Sequence, residues 1–354
     1  MKKIPVGILG ATGMVGQRFI TLLKDHPWFE VVCVAASPKS AGKKYKDAVG
    51  DRWVMDEPIP KNIANMKVLA AEEDMDQIAK QVSLVFSALD MDKDKIRKIE
   101  NEFASHGVVV VSNNSAHRWT PDVPMIIPEI NPDHLQLIKV QQKNHGWENG
   151  FVVVKPNCSI QSYVPLITPL LTFQPKKVMV TTLQAVSGAG KTLEGWPQMQ
   201  ENVIPFIGGE EEKSEKEPLK IWGNEAKGIK ITATCIRVPL EDGHMASVAV
   251  SFTKKPTPSQ IKNGWKNFNP LKSLKLPSSP KHFITYFEEE DRPQTRLDRD
   301  LGNGMGISVG RLREDTILDY KFVGLSHNTI RGAAGGAILT AELLKAKGYL
   351  DGKN

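Results

Sequence analysis

The chain has 354 residues, 40% of them apolar and 24% charged, with a formal net charge of +6. That length exceeds one ordinary core and predicts two domains. The composition is that of a soluble globular protein, and no apolar run approaches the ~20 residues that span a bilayer. The lysines are interleaved with acids and form no basic tract, so the charge suits anionic small ligands and excludes nucleic acid and membrane as expected partners.

The opening Met1-Lys2-Lys3 and the apolar residues 4–9 imitate a signal peptide, but the stretch is short, Gln17 and Arg18 break it, and no small-residue cleavage pattern follows. A cytoplasmic protein is expected. Residues 4–9 read as a compact strand, and residues 14–24 as a helix with Val15, Phe19, Leu22 and Leu23 at helical spacing. Residues 30–36, 83–88 and 108–112 read as further strands, with a charged helix over 93–105. This βαβ order predicts a parallel, doubly wound, Rossmann-like sheet. The second half reads as strands at 178–184, 230–238, 246–253, 282–287, 307–313 and 316–324, separated by few strong helices. An α+β domain with a mostly antiparallel sheet is expected there. Residues 256–280, with Pro256, Pro258, Pro270, Pro277, Pro280 and several lysines, read as a surface excursion. Residues 328–347 return to helix, and the small residues Gly332 to Gly336 suit close packing on a sheet.

Between the first strand and the first helix lie Gly10, Gly13 and Gly16, a GxxGxxG form. Glycines there permit a tight turn and close backbone approach, and the helix start offers free N–H groups to a pyrophosphate. Turns alone also need glycine, but the strand–loop–helix context points to a dinucleotide. After the second strand the chain reads Ser37-Pro38-Lys39-Ser40-Ala41-Gly42-Lys43, without the acid that usually holds the ribose hydroxyls of NAD. Two hydroxyls and two lysines favour a 2′-phosphate, hence NADP(H); a solvated loop is the other reading.

Cys33, Cys158 and Cys235 form no disulfide framework and no CxxC pair, and no metal is expected. Cys33 and Cys235 sit in strand-like runs and read as buried small residues. Cys158 follows a strand at 151–155 and the pair Pro156-Asn157, near a helix start where backbone N–H groups can stabilise a thiolate. Pro165 and Pro169 require that helix to be short or kinked. Burial as packing is the commoner fate of a lone cysteine, yet beside a nucleotide domain a thiolate can form a thioester for a nicotinamide to reduce. His244 stands at a strand entrance after a turn, and Arg237 at a strand end, where it can grip a carboxylate bidentately. By itself such a histidine is more often structural.

Five segments occur in order: Gly10-Ala11-Thr12-Gly13-Met14-Val15-Gly16, residues 112–118 with Asn113-Asn114-Ser115-Ala116-His117-Arg118, Pro156-Asn157-Cys158-Ser159, residues 184–190 from Gln184 to Gly190, and Arg237-Val238-Pro239 with His244. Together they resemble aspartate-semialdehyde dehydrogenases over nearly the whole chain. Pro156-Asn157-Cys158-Ser159 and Glu210-Glu211-Glu212-Lys213 resemble the archaeal and fungal branch. The resemblance implies that Cys158 is the nucleophile, His244 the general acid/base and Gln184 the residue that orients the substrate. It implies that Arg237 and Glu210 hold the carboxylate and amino groups of L-4-aspartyl phosphate, and that Arg118, Asn157 and Lys213 receive the phosphate. Cofactor contacts are expected at Gly10, Thr12, Gly13, Met14, Val15, Ser37, Ser40, Lys43, Ser87, Ser187, Gly188 and Asn328. The run from Glu210 to Lys220 also reads as a solvated charged helix. Residues 1–156, completed by a helix over 328–354, are the expected NADP-binding domain, and 157–327 the catalytic and dimerisation domain. The implied activity is NADPH-dependent reduction of L-4-aspartyl phosphate to L-aspartate 4-semialdehyde, a step of lysine, threonine and methionine biosynthesis, in a homodimer or homotetramer. The rivals are a malonyl-CoA reductase on the same scaffold and a non-catalytic nucleotide-binding protein.

Overall fold

The computed structural model describes residues 2–352. Met1, Lys353 and Asn354, at the outer limits of the expected cofactor domain and its closing helix, lie outside the described residues.

The first sheet contains β1 (Ile4–Leu9), β2 (Phe29–Ala36), β3 (Leu69–Ala70), β4 (Leu84–Ser87), β5 (Val109–Ser112) and β6 (Phe151–Val154). They run parallel in the order β3-β2-β1-β4-β5-β6. Runs such as Val109-Val110-Val111 are apolar on both sides, as strands covered on both faces require. On one face α1 (Met14–Leu23) packs Phe19 and Ile20 with Ile8, Phe86 and Ala337. On the other, α2 (Lys93–Ser105) packs Ile96, Ile99 and Phe103 with Val85 and Val110. Asp92 caps α2 by accepting from the amides of Asp94 and Lys95. This is the doubly wound sheet expected from the βαβ pattern. The strand order turns back at β1, and the carboxyl ends of β1, β4, β5 and β6 deliver the glycine loop, Ser87, Asn113 and Cys158 to one edge.

The second sheet contains β7 (Pro175–Gln184), β8 (Lys230–Arg237), β9 (His244–Phe252), β10 (Ile284–Phe287), β11 (Ile307–Glu314) and β12 (Tyr320–Ser326), in the order β10-β11-β12-β9-β7-β8. Its three central pairings are antiparallel, and the outer pairs β10·β11 and β7·β8 are parallel. The parallel pair β7·β8 needs a crossover, and α3 (Glu210–Trp222) supplies it. It is one of the few long helices that separate these strands. The solvated-helix reading is corrected, because α3 buries Glu210, Ser214, Glu217, Pro218, Ile221 and Trp222.

Residues 256–280 are no surface excursion. Thr257 forms a capping box with Gln260 and starts α4 (Pro258–Asn267), which buries Ile261 and Trp265. Trp265 packs edge-on against Phe322 and donates its indole N–H to the Leu166 carbonyl at 2.8 Å. The expected strand over 316–324 starts only at Tyr320, because Asp315 accepts from the amides of Ile317 and Leu318 and turns the chain. The expected helix over 328–347 is also interrupted. α5 (Gly335–Ala346) is preceded by a wide turn in which Gly332 donates to His327 and Ala334 to Thr329, five residues back.

Trp265→Ala should lower the unfolding free energy by about 3–5 kcal/mol, as for other large core truncations. Urea unfolding measures it, and a change within experimental error would mean that this segment is not part of the core.

Candidate active site

β6 ends at Val154, and Lys155-Pro156-Asn157 carries the chain to Cys158 at the start of a four-residue 3-10 turn, Ser159–Ser162. A short α-turn with Pro165 and a second 3-10 stretch follow, so the helix is broken as the prolines require. Cys158 is partly exposed, whereas Cys33 and Cys235 are buried. Gly332 faces the thiol: a Cβ there would lie 2.8 Å from the Cys158 Cβ.

β9 begins at His244, which is fully buried, and brings Nε2 to 3.5 Å from the Cys158 Sγ. The Ala185 amide donates to His244 Nδ1 at 3.1 Å, and the Ala185 carbonyl accepts from Arg237 Nη1 at 2.6 Å. Gly188 passes so close that a Cβ would lie 2.9 Å from both Arg237 Nη1 and His244 Nε2. Burial, followed by the Arg237 charge, pushes the imidazolium down to about 3, so the ring is neutral at physiological pH. Burial raises the Cys158 thiol, and the Glu210 carboxylate raises it further against the opposing charges of Lys155, Arg118 and Arg237.

Glu210 opens α3, and its carboxylate accepts from Asn157 Nδ2 at 2.9 Å, Lys213 Nζ at 2.7 Å and Gln184 Nε2 at 3.3 Å. Against the cost of burial, Lys213 and these hydrogen bonds leave Glu210 below the usual carboxylate range. Arg118 donates to Glu217 at 2.9 Å and to the carbonyls of Lys155 and Asn113. Val15, Arg118, Asn157, Cys158, Ser187, Gly188, Glu210, Lys213 and Asn328 all line one cavity of about 370 Å³. Gln184, Arg237 and His244 are buried beside it through the contacts above. A larger cleft of about 720 Å³, between His26, residues 277–281 and α5, gathers none of the expected site residues.

The glycine loop fits a dinucleotide. Gly10 has φ +81°, and a Cβ there would strike the Ala88 carbonyl at 2.2 Å. A Cβ at Gly16 would strike the Gly10 carbonyl at 2.3 Å. Gly13 is the N-cap of α1 and has no side chain to occupy the first-turn amides, which include those of Met14 and Val15. Thr12 lies within this loop. Ser37 and Lys43 are exposed on the turn after β2, while Ser40 is buried in it. Ser87 is fully buried and accepts from Asn114 Nδ2, beneath the edge of the sheet. Ser187 donates to Asp242, Asn328 donates to Ser187, and the Gly243 amide donates to Asn328.

Two buried groups escaped the sequence reading. Glu217 accepts from Arg118 and, at 2.6 Å, from the Asn157 amide. Its signal was its place seven residues after Glu210, on the same helix face. Lys155 is the charged residue that follows the apolar strand β6. It is 3% exposed and donates to the Pro156 carbonyl, and burial lowers its ammonium to about 7.

Residues 5–138 match the family model "Semialdehyde dehydrogenase, NAD binding domain" and residues 165–331 match "Semialdehyde dehydrogenase, dimerisation domain". Aspartate-semialdehyde dehydrogenase of Archaeoglobus fulgidus is 46% identical, covering 96% of this chain and 97% of its own. The chain belongs to the aspartate-semialdehyde dehydrogenase family. The enzyme of that name from Saccharomyces cerevisiae is 42% identical over 99% of both chains. The crystal structure of aspartate semialdehyde dehydrogenase with NADP from Candida albicans superposes with a TM-score of 0.86 at 39% identity, over 98% of this chain and all of that one. Aspartate semialdehyde dehydrogenase II of Vibrio cholerae, complexed with ASA, gives 0.77 at 25% identity, over 98% and 99% of the two chains. Archaeal and fungal relatives are both in this set, as the Pro156-Asn157-Cys158-Ser159 variant led one to expect. These matches do not favour either rival reading.

Because Glu210 raises the thiol, Glu210→Gln should make Cys158 more acidic and more reactive at a fixed pH. Iodoacetamide alkylation followed by intact mass from pH 6 to 10 measures this; an unchanged or upward-shifted profile contradicts it.

Proposed function

We propose that this protein reduces L-4-aspartyl phosphate to L-aspartate 4-semialdehyde and phosphate with NADPH, through a thioester on Cys158. The observation that carries the reading is the cavity in which Cys158, with His244 at 3.5 Å, meets the cations Arg118 and Lys213, the carboxylate Glu210 and the cofactor-side residue Val15. The names of the relatives and the NADP held by the Candida albicans enzyme support it.

Within this reading Cys158 attacks the acyl carbon. Arg118, Asn157 and Lys213 hold the phosphate as it leaves, and a cation beside a departing anion stabilises the charge that develops. Arg237 takes the substrate's carboxylate, Glu210 its ammonium, and Gln184 fixes the chain between them. Gly10, Thr12, Gly13, Met14 and Val15 hold the pyrophosphate of NADP(H). Ser37, Ser40 and Lys43 face its 2′-phosphate, and Ser87, Ser187, Gly188 and Asn328 border its reactive end. The cofactor, when bound, supplies a hydride to the thioester carbon. We assign cofactor binding to residues 1–156 with the closing segment 328–354, and catalysis and subunit contact to 157–327. The match of residues 165–331 to a dimerisation domain supports a homodimer or homotetramer. Among the described residues no helix is long and apolar enough to cross a membrane, which accords with a cytoplasmic place.

The test is phosphate-dependent reduction of NADP⁺ with L-aspartate 4-semialdehyde, run beside NAD⁺ and beside NADPH oxidation with malonyl-CoA. Turnover with the first pair and loss of nearly all of it in Cys158→Ser, with NADPH binding retained, is the expected result. Activity with malonyl-CoA alone, or full turnover in the serine variant, overturns the assignment.

A further inference from the structure

The segment from Asn328 to Gly335 presents its residues to three places. Asn328, Thr329, Gly332 and Ala333 line the cavity that holds Cys158. Ile330 and Gly335 line the larger outer cleft. Arg331 is directed into the protein and is only 1% exposed. The proposed reaction gives that buried guanidinium no task. Its Nη1 and Nη2 donate to the two oxygens of Glu129 at 2.7 and 2.5 Å, and its Nε donates to Gln161 Oε1 at 3.2 Å. Its guanidinium carbon lies 4.8 Å from the centre of the Phe283 ring.

Each of these partners has a fixed reference. Glu129 belongs to the connection between β5 and β6, where Met125 bridges to Val154 at the end of β6. In the same connection Asn131 bonds both the Ile127 amide and the Met125 carbonyl. Glu129 is thereby set on the sheet that carries the glycine loop. Gln161 lies three residues after Cys158, and its amide donates to the Cys158 carbonyl at 3.3 Å. Phe283 leads into β10 of the second sheet. Arg331 itself precedes Gly332, the glycine against which Cys158 packs.

We propose that Arg331 is a positioning residue which, with Glu129 and Gln161, fixes the Cys158 sulfur relative to the cofactor sheet and so sets the distance over which the hydride passes. The inference rests on the reaction proposed above. Two routes run from the guanidinium to the sulfur, one through Gln161 and one through the Gly332 backbone. A guanidinium holds its N–H groups in one plane, so contact with both Glu129 oxygens and with Gln161 fixes its orientation as well as its place. A lysine ammonium is a point charge and cannot do this. Removing one member of a buried ion pair destabilises a fold whatever else the pair does. Loss of stability therefore does not distinguish this role, whereas the hydride step does. In the oxidative direction the sulfur adds to the aldehyde carbon, and the thiol's proton moves to the oxygen. The C–H bond of that thiohemiacetal then breaks, its electron pair passes with the hydrogen to NADP⁺, and the hydroxyl proton passes to His244 as the thioester C=O forms. Phosphate finally takes the acyl group, and sulfur keeps the pair of the broken C–S bond. Arg331 touches none of the reacting atoms.

Stopped-flow measurement of NADPH formation in the first turnover tests the proposal, with L-aspartate 4-semialdehyde, phosphate and NADP⁺ at saturation. Deuterium on the aldehyde carbon confirms that hydride transfer is the step observed. Arg331→Lys keeps the charge and loses the fork, so this rate should fall by about 10–10²-fold, as for a small misplacement of reacting groups, with KM within about threefold of wild type. Affinity for NADP⁺ should be unchanged. Gln161→Met leaves the Arg331–Glu129 pair intact, and the same rate should fall in it too; this variant decides the matter if Arg331→Lys fails to fold. Iodoacetamide should alkylate Cys158 faster in both variants, because the turn that carries it is held less firmly. A wild-type hydride rate in the folded variants overturns the proposal, as does an unchanged rate of alkylation. Lack of any turnover with aspartate semialdehyde in wild type would instead remove the proposed reaction, and the alkylation rates would still judge the clamp separately.

Discussion

Holding the thiol proposed as nucleophile at a largely desolvated position is the constraint on which the rest of the site depends. Desolvation disfavours every charged form, so it raises the Cys158 thiol and lowers His244 and Lys155 together. Most of the buried charges that remain are paired, and Arg237 is held by the Ala185 carbonyl alone. Arg118 meets Glu217, Lys213 meets Glu210, and Arg331 meets Glu129 in a bidentate contact with distances of 2.7 and 2.5 Å. Removing one member of such a pair strands the other in a poorly solvated place, so these pairs constrain one another as a set.

Close approach is the second consequence. Three pieces of chain converge on the sulfur and its histidine: the end of β6, the turn after β7, and the wide turn before α5. The two turns come nearer than a side chain allows. Gly188 lies against the His244 ring and Gly332 against the Cys158 Cβ. The five-residue spacing of the bonds around Gly332 widens the helix start and brings its backbone to the thiol. The Ser187–Asn328–Gly243 chain of hydrogen bonds then ties that segment to the turn carrying His244.

Much of this was legible in the sequence where one local signal governs the outcome. The apolar run of β1, the glycine loop and the amphipathic α1 are each set by neighbours within a few residues, and α2 has the limits its charge and periodicity suggest. Cys33 and Cys235 are buried as strand residues should be. The misreadings occur where distant partners override the local signal. Glu210, Ser214 and Glu217 look like the wet side of a charged helix, yet they form its inward face because Asn157, Arg118 and Lys213 satisfy the two carboxylates. Proline density around residues 256–280 suggested a loop, but Trp265 had a slot beside Phe322 that composition cannot reveal. The break before α5 likewise reflects contact with Cys158, which lies far away in the chain.

The residues proposed to grip substrate are already bonded to one another. Asn157 and Gln184 donate to Glu210, and Arg118 donates to Glu217. A ligand's phosphate or ammonium would therefore exchange partners within an existing network, not attract loose side chains. Such exchange contributes less to ground-state affinity than the gross strength of each contact suggests, since a bond is lost for each one made. It also means the donors are aimed before the ligand arrives and need little reorganisation as charge develops, which is where fixed dipoles contribute most to rate. Ala185 shows the same logic at its smallest scale. One peptide N–H and the next carbonyl fix an imidazole and a guanidinium side by side, and a backbone group can do this without a side-chain rotamer to order.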